Sequence, residues 1–173
     1  MDESQFWNLI EESKRASKAD FGLQAESLLG LLCKLPPQDI ARFHRIYHDH
    51  VVRAYTWDLW GAAYVIGGGC SDDGFDYFRD WLISRGRTVY EAAMRNPESL
   101  VDVVTQADAD EHCEFEELRY VAAHAWAART GRSEGEFPTE QGTQQPSEPS
   151  GVAWQEDDSV LARRFPRLAA RFQ

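Results

Sequence analysis

The run Cys70-Ser71-Asp72-Asp73 puts a thiol, a hydroxyl and two carboxylates on consecutive residues, directly after Gly67-Gly68-Gly69. A cysteine close to a helix N-terminus can have its thiolate stabilised by exposed amides and the helix dipole, which would make Cys70 a nucleophile. The two neighbouring acids work against this, because they disfavour another negative charge. Ser71 followed by Asp72 and Asp73 is also the pattern of an N-cap with acids in the first turn, so a structural turn is the simpler expectation. Arg79 is placed to pair with Asp72, Asp76 or a substrate carboxylate, a structural ion pair being the simpler of these. Cys70, Asp72, Asp73 and Arg79 are therefore the candidates for chemistry, and Trp57, Trp60, Ser71 and Trp81 the candidates for ligand contact.

Other patterns carry less. The triple glycine before a helix invites a phosphate-loop reading, but the lysine and following serine or threonine are absent and the acids would repel phosphate. Asp72, Asp73 and Asp76 offer hard oxygen ligands without the spacing of an EF-hand loop, so a solvated acidic face is expected. His44 and His48 stand four apart, a spacing that brings two imidazoles toward one metal, yet no glutamate follows His44 as in zincins. Ordinary hydrogen-bonded or surface histidines are expected there, with His50 turned toward the apolar arc. His112 and Cys113 would have to supply further donors from a distant segment. Ser71 lacks the Gly-x-Ser-x-Gly surroundings of a hydrolase nucleophile, and capping accounts for it. No metal site and no cofactor is named by these patterns.

The elements that must position these residues centre on Trp57 to Ile83. Its first half is apolar almost all round a helix, as in a buried element. In the second, Phe75, Phe78 and Leu82 follow helical spacing while Asp73, Asp76 and Asp80 fall on the opposite side. Before this hub, Asp2 with Gln5 is a capping arrangement for a helix ending near Ser17, a second helix is expected from about Asp20 to Leu35, and Pro37 opens a third toward Tyr55. After it, Gly86 is expected as a C-cap and Thr88 with Glu91 as a capping box. Asn96-Pro97-Glu98 begins a brief helix, and the periodicity from Phe115 to Gly131 gives the last core helix. Residues 132–151 turn to Gly, Pro, Ser, Thr, Gln and Glu, which bury too little apolar area to offset ordering, and are expected to be a mobile linker. The tail 152–173 regains Trp154, Val160, Leu161, Phe165, Leu168 and Phe172, enough to dock a short helical segment interrupted at Pro166. Arg163, Arg164, Arg167 and Arg171 are helically spaced and could grip the acidic stretch Asp108 to Glu117, a solvated face being the simpler expectation.

No pair of apolar runs sustains a period of two, so the fold class is all-α or mostly α: one multi-helix domain over 1–131, a linker and a docking tail. With 173 residues and 43% hydrophobic content the chain can build one real core. A formal charge of -11 opposes binding to nucleic acid or an anionic membrane. No apolar run approaches a membrane span, and three isolated cysteines give no disulfide framework, so a cytoplasmic location is expected.

The segments WDLWGAAYVI, GGGCSDDGFDYFRDWLISRGR and NPESL, with the opening FWNLI, resemble the bacterial family catalogued as domain of unknown function 4240, over the chain up to Gly131. The resemblance implies a small cytoplasmic bacterial protein and brings no mechanism. The functional expectation is a binding or regulatory module whose partner is a protein or a small molecule. The alternative is a small enzyme with its pocket at Cys70 to Asp73 and Arg79, among Trp57, Trp60 and Trp81.

Overall fold

The structure, a computed structural model, describes residues 1–18, 20–139 and 142–173. Asp2 and Gln5 form the expected reciprocal cap of α1 (Glu3–Ser17), which turns Phe6, Trp7 and Ile10 into the core. Asp20 caps α2 (Phe21–Leu32), which packs along α1 and ends three residues short of Leu35 as the chain tightens toward Pro36. Pro37 opens α3 (Pro37–Arg53), whose buried face carries Ile40, Phe43, Tyr47 and Val51.

The hub forms two helices. α4 (Trp57–Gly67), capped by Thr56, buries Leu59, Ala62, Ala63, Val65 and Ile66, and ends at Gly68 in the left-handed conformation with φ +67°. Gly69 follows at φ +147°, and its N–H bonds the Tyr64 carbonyl at 2.9 Å, so the glycines are spent on reversing the chain. α5 (Asp72–Ser84) begins at Ser71, whose hydroxyl accepts from the Gly74 N–H at 3.1 Å. It buries Phe75, Phe78, Trp81, Leu82 and Ile83.

Several expectations need correction past this point. Gly86 serves two helices: it follows Arg85 at the end of α5, with its N–H on the Ile83 carbonyl at 3.0 Å, and at φ +93° it redirects the chain straight into α6 (Arg87–Arg95). Thr88 is thereby inside α6, no capping box forms, and Glu91 pairs with Arg87 at 2.7 Å. Asn96 and Pro97 open a 3-10 turn, Pro97–Asp102. The acidic stretch holds a short helix, α7 (Gln106–Asp110), fixed by a capping box between Thr105 and Asp108. The periodicity after Phe115 divides into a 3-10 turn, Glu116–Arg119, and α8 (Val121–Thr130), which ends at Gly131 with φ +70°.

Of the segment 132–151 expected to be a linker, Glu140 and Gln141 lie outside the described residues. Elsewhere in it Phe137 meets the rings of His44 and Trp126, Thr143 bonds Asp49, and Ser150 exchanges backbone hydrogen bonds with Tyr55 and Trp57. α9 (Asp158–Arg164) and α10 (Pro166–Phe172) then bury Leu161, Phe165 and Leu168 against α4 and the 97–102 turn. The tail arginines are neither a merely solvated face nor on Asp108 to Glu117: Arg164 pairs with Asp58 and Arg167 with Asp102, while Arg171 donates to the Val101 carbonyl. Docking on α4 carries them there and away from α7. No strand occurs among the described residues, and the fold is all-α.

Candidate functional site

Tyr55, Trp57 and Trp60 on one side, Asp72, Asp73, Phe75 and Asp76 on another, and Gln145, Ser147, Glu148, Pro149 and Ala153 on a third enclose a cleft of about 660 Å³. Two walls follow from local helix geometry. Trp57 and Trp60 are three apart on α4 and stack at 5.4 Å between ring centroids, 9° from parallel. Phe75 continues the stack against Trp60 at 5.0 Å and 7°. Asp72, Asp73 and Asp76 occupy the first turn and a half of α5 on the same side of the cleft. The third wall arrives from the C-terminal segment.

Arg79 lies beneath this cleft and is fully buried. Its guanidinium sits over the Tyr55 ring at 4.9 Å and the Phe75 ring at 5.1 Å. Nη1 donates to the Val51 carbonyl and to Gln145 Oε1, both at 3.0 Å, and Nη2 donates to Asp76 Oδ1. Nε alone has no partner. Arg79 thus pairs with Asp76, as its spacing allowed, and also ties the C-terminal segment to α5.

Behind Arg79 the charges continue inward. Arg119 reaches toward Asp76 at 3.9 Å and donates through Nε to Asp80 Oδ2 at 2.8 Å, while the Tyr47 hydroxyl donates to Asp80 Oδ1. Asp80 was expected on a solvated face with Asp73 and Asp76, and it is instead fully buried. Its cost of burial is met by Tyr47 from α3 and Arg119 from the turn before α8. Burial pushes its carboxyl up to about 6, against the opposing pull of Arg119 and Tyr47.

The sequence-nominated residues divide accordingly. Trp57, Trp60, Asp72 and Asp73 line the cleft. Cys70 and Ser71 hold the turn beside it: Trp60 Nε1 donates to the Cys70 carbonyl at 3.0 Å, and Ser71 is engaged as the cap of α5. Burial, then the nearby Glu114 and Asp72, push the Cys70 thiol up to about 12, which keeps it a thiol at neutral pH. Trp81 does not reach the cleft; it is fully buried, with its indole N–H toward Asp108 Oδ1 at 3.3 Å. It projects to the core because it lies on the face of α5 shared with Phe78.

His44 and His48 lie nearly parallel, 6.4 Å apart. Burial, then His48, hold His44 below its ordinary range. His112 packs on Gly67 and Cys113 is buried, and among the described residues no three His, Cys, Asp or Glu gather to hold a metal. His50 is buried between Phe6, Trp7 and Tyr90, as its side of the helix implied. Sequence reasoning missed Tyr55, Phe75 and the C-terminal wall. Phe75 was reachable, one turn along α5 from Asp72; nothing in the composition of 145–153 marked it as lining a cleft. A second opening of about 650 Å³ mixes Lys14 and Arg85 with Asp20, Asp108 and Glu111, and holds none of the nominated residues.

A family model described as Protein of unknown function (DUF4240) matches residues 1–128, and the chain belongs to that family. The match includes the α4 and α5 walls of the cleft and stops short of its third wall. No curated protein and no solved structure matches the chain.

Proposed function

We propose that this DUF4240 protein is a cytoplasmic bacterial binding module whose cleft takes an organic cation: a guanidinium or alkylammonium group on a small molecule or on a basic side chain of a protein partner. One observation carries the reading. The cleft sets four aromatic side chains, Tyr55, Trp57, Trp60 and Phe75, against four carboxylates, Asp72, Asp73, Asp76 and Glu148. The carboxylates attract a cation, and the Trp57–Trp60–Phe75 stack gives the apolar wall against which its alkyl part packs. Arg79, the cation beneath, is already bonded to Asp76, Val51 and Gln145. The volume suits a small ligand or a single side chain.

Phosphate-bearing partners are disfavoured by the same carboxylates and by the formal charge of -11. No helix is long and apolar enough to cross a membrane among the described residues, and Cys33, Cys70 and Cys113 are free thiols; both support the cytoplasmic placement. The enzyme alternative through Cys70 finds less support, because its thiol is pushed up to about 12.

Titration with arginine amide and with citrulline amide, both Nα-acetylated so that the second is the neutral isostere of the first, read by tryptophan fluorescence, tests the reading. Arginine amide should perturb the Trp57 and Trp60 emission at low salt, citrulline amide should not, and the Asp72→Asn, Asp73→Asn double variant should weaken the response about tenfold. Equal responses to both probes, or none to either at millimolar concentration, would remove the cation assignment.

A further inference from the structure

We infer that the surface of α4 around Gly61 is a docking groove for a tryptophan-bearing peptide of a partner protein, and that this chain fills it in cis with its own residues 145–154. The groove is built for an indole. Trp57, Trp60, Gly61 and Tyr64 share one face of α4 by their spacing. Trp154 stands edge-on to the rings of Trp57, Trp60 and Tyr64 at 5.8, 6.2 and 5.3 Å, and its Nε1 donates to the Trp57 carbonyl at 2.7 Å. Gly61 is the notch that admits it: a Cβ there would lie 3.0 Å from Trp154 Nε1 and 2.7 Å from the Phe165 ring. Any side chain at this position would push both rings away.

The backbone of the inserted segment is recognised as well. The Trp57 N–H, an amide left free at the start of α4, donates to the Ser150 carbonyl at 2.9 Å, and the Ser150 N–H donates to the Tyr55 carbonyl at 3.0 Å. These two bonds make one isolated parallel bridge, Thr56 with Ser150, by which the segment's backbone is held. At the far end, Gln145 Oε1 takes a hydrogen bond from Arg79. Three anchors at 145, 150 and 154 therefore define the occupant: a side-chain oxygen, a backbone bridge, and a tryptophan nine residues after the first anchor.

Receiver and occupant belong to separable parts of the chain. Every receiving group lies between Val51 and Arg79, inside the family match, and every inserted group lies beyond it. The segment is followed by α9 and α10, held through Leu161, Phe165 and Leu168, so it stays tethered when it leaves the groove. Tethering places it at an effective concentration in the millimolar range, against which a partner peptide must compete. The inference shares Trp57, Trp60 and the segment 145–153 with the cation cleft, whose third wall leaves when a partner peptide enters, and its peptide probe is what tests it separately from the cation reading.

The test uses the full chain and a fluorescent peptide copying residues 143–157. Trp154→Ala empties the notch, so the peptide should bind that protein at least about tenfold more tightly than the parent, whose own segment competes. A peptide carrying the same Trp154→Ala change should not bind. Ser150→Pro, which removes the paired N–H and keeps the tryptophan, should give a smaller gain. If either variant fails to fold, amide exchange of the parent decides: faster exchange at Ser150 with excess peptide supports the groove, and unchanged exchange overturns it. Absence of peptide binding to folded Trp154→Ala and Ser150→Pro proteins also overturns it. A parent dimer lost on Trp154→Ala would assign the groove to a second copy of the chain and overturn the partner assignment.

Discussion

Replacing Asp80 by asparagine keeps the side-chain size, leaves an oxygen to accept from Arg119, and removes a buried charge. In the parent, the carboxyl is pushed up to about 6 from an ordinary 3.8, burial outweighing the pull of Arg119 and of the Tyr47 hydroxyl. An acid with a raised folded pKa holds its proton in the native state after the unfolded chain has released it. Native stability from this group therefore falls as pH rises from about 3.8 to about 6 and is flat above. At 1.36 kcal/mol per pH unit the full displacement corresponds to about 3 kcal/mol, of which about 2 kcal/mol falls between about pH 4 and pH 7. His44 and His50, both held low chiefly by burial, act with the opposite sign: their contribution is lost as pH falls through the imidazole range. The parent profile mixes these effects, and the difference between parent and Asp80→Asn removes the histidines. Urea unfolding of both proteins at about pH 4, 5, 6 and 7 should show the parent losing about 2 kcal/mol relative to the variant across the series. A difference that does not change with pH, or that favours the parent as pH rises, would refute the claim that burial dominates at Asp80.

Trp81→Ala empties a fully buried aromatic site beside Phe78 and should cost about 3–5 kcal/mol in the same urea assay; a loss under 1 kcal/mol would deny Trp81 its place in the core. Cys70, with its thiol pushed up to about 12, should react with iodoacetamide at pH 7.5 at least about tenfold more slowly than a free cysteine. Labelling at the free-cysteine rate would return Cys70 to the nucleophile candidates. A glutamyl-specific protease should cut first at the exposed Glu134, Glu136 or Glu148, and the nicked pieces should elute together because Leu161, Phe165 and Leu168 are buried. Protection of 132–151 equal to that of α5 would show the segment to be as firmly held as the core.

What the sequence determined by itself was local. The cap at Asp2 and Gln5, the stop before Pro37, the buried α4, the glycine turn with Ser71 capping α5, and the break at Pro166 all rest on interactions within a few residues. The family was legible for the same reason, because its segments are contiguous. Half of the cleft was legible too: helical spacing sets Trp57 beside Trp60, and capping sets Asp72 and Asp73 at the start of α5. Only the tertiary structure decided the rest. Periodicity placed Asp80 with the solvent-facing acids, since nothing near it announces Tyr47, 33 residues before, or Arg119, 39 residues after. Their donors make a buried carboxylate tolerable, and no local pattern encodes a partner that distant. The tail arginines met Asp58 and Asp102, not the acids of 108–117, because the seat of Leu161, Phe165 and Leu168 fixed where α9 and α10 lie. The third wall of the cleft came from a stretch whose composition resembles a linker. Gln145, Ser150 and Trp154 acquire their roles only when chain reversal sets them against Arg79, Tyr55 and Trp57, between 66 and 97 residues away.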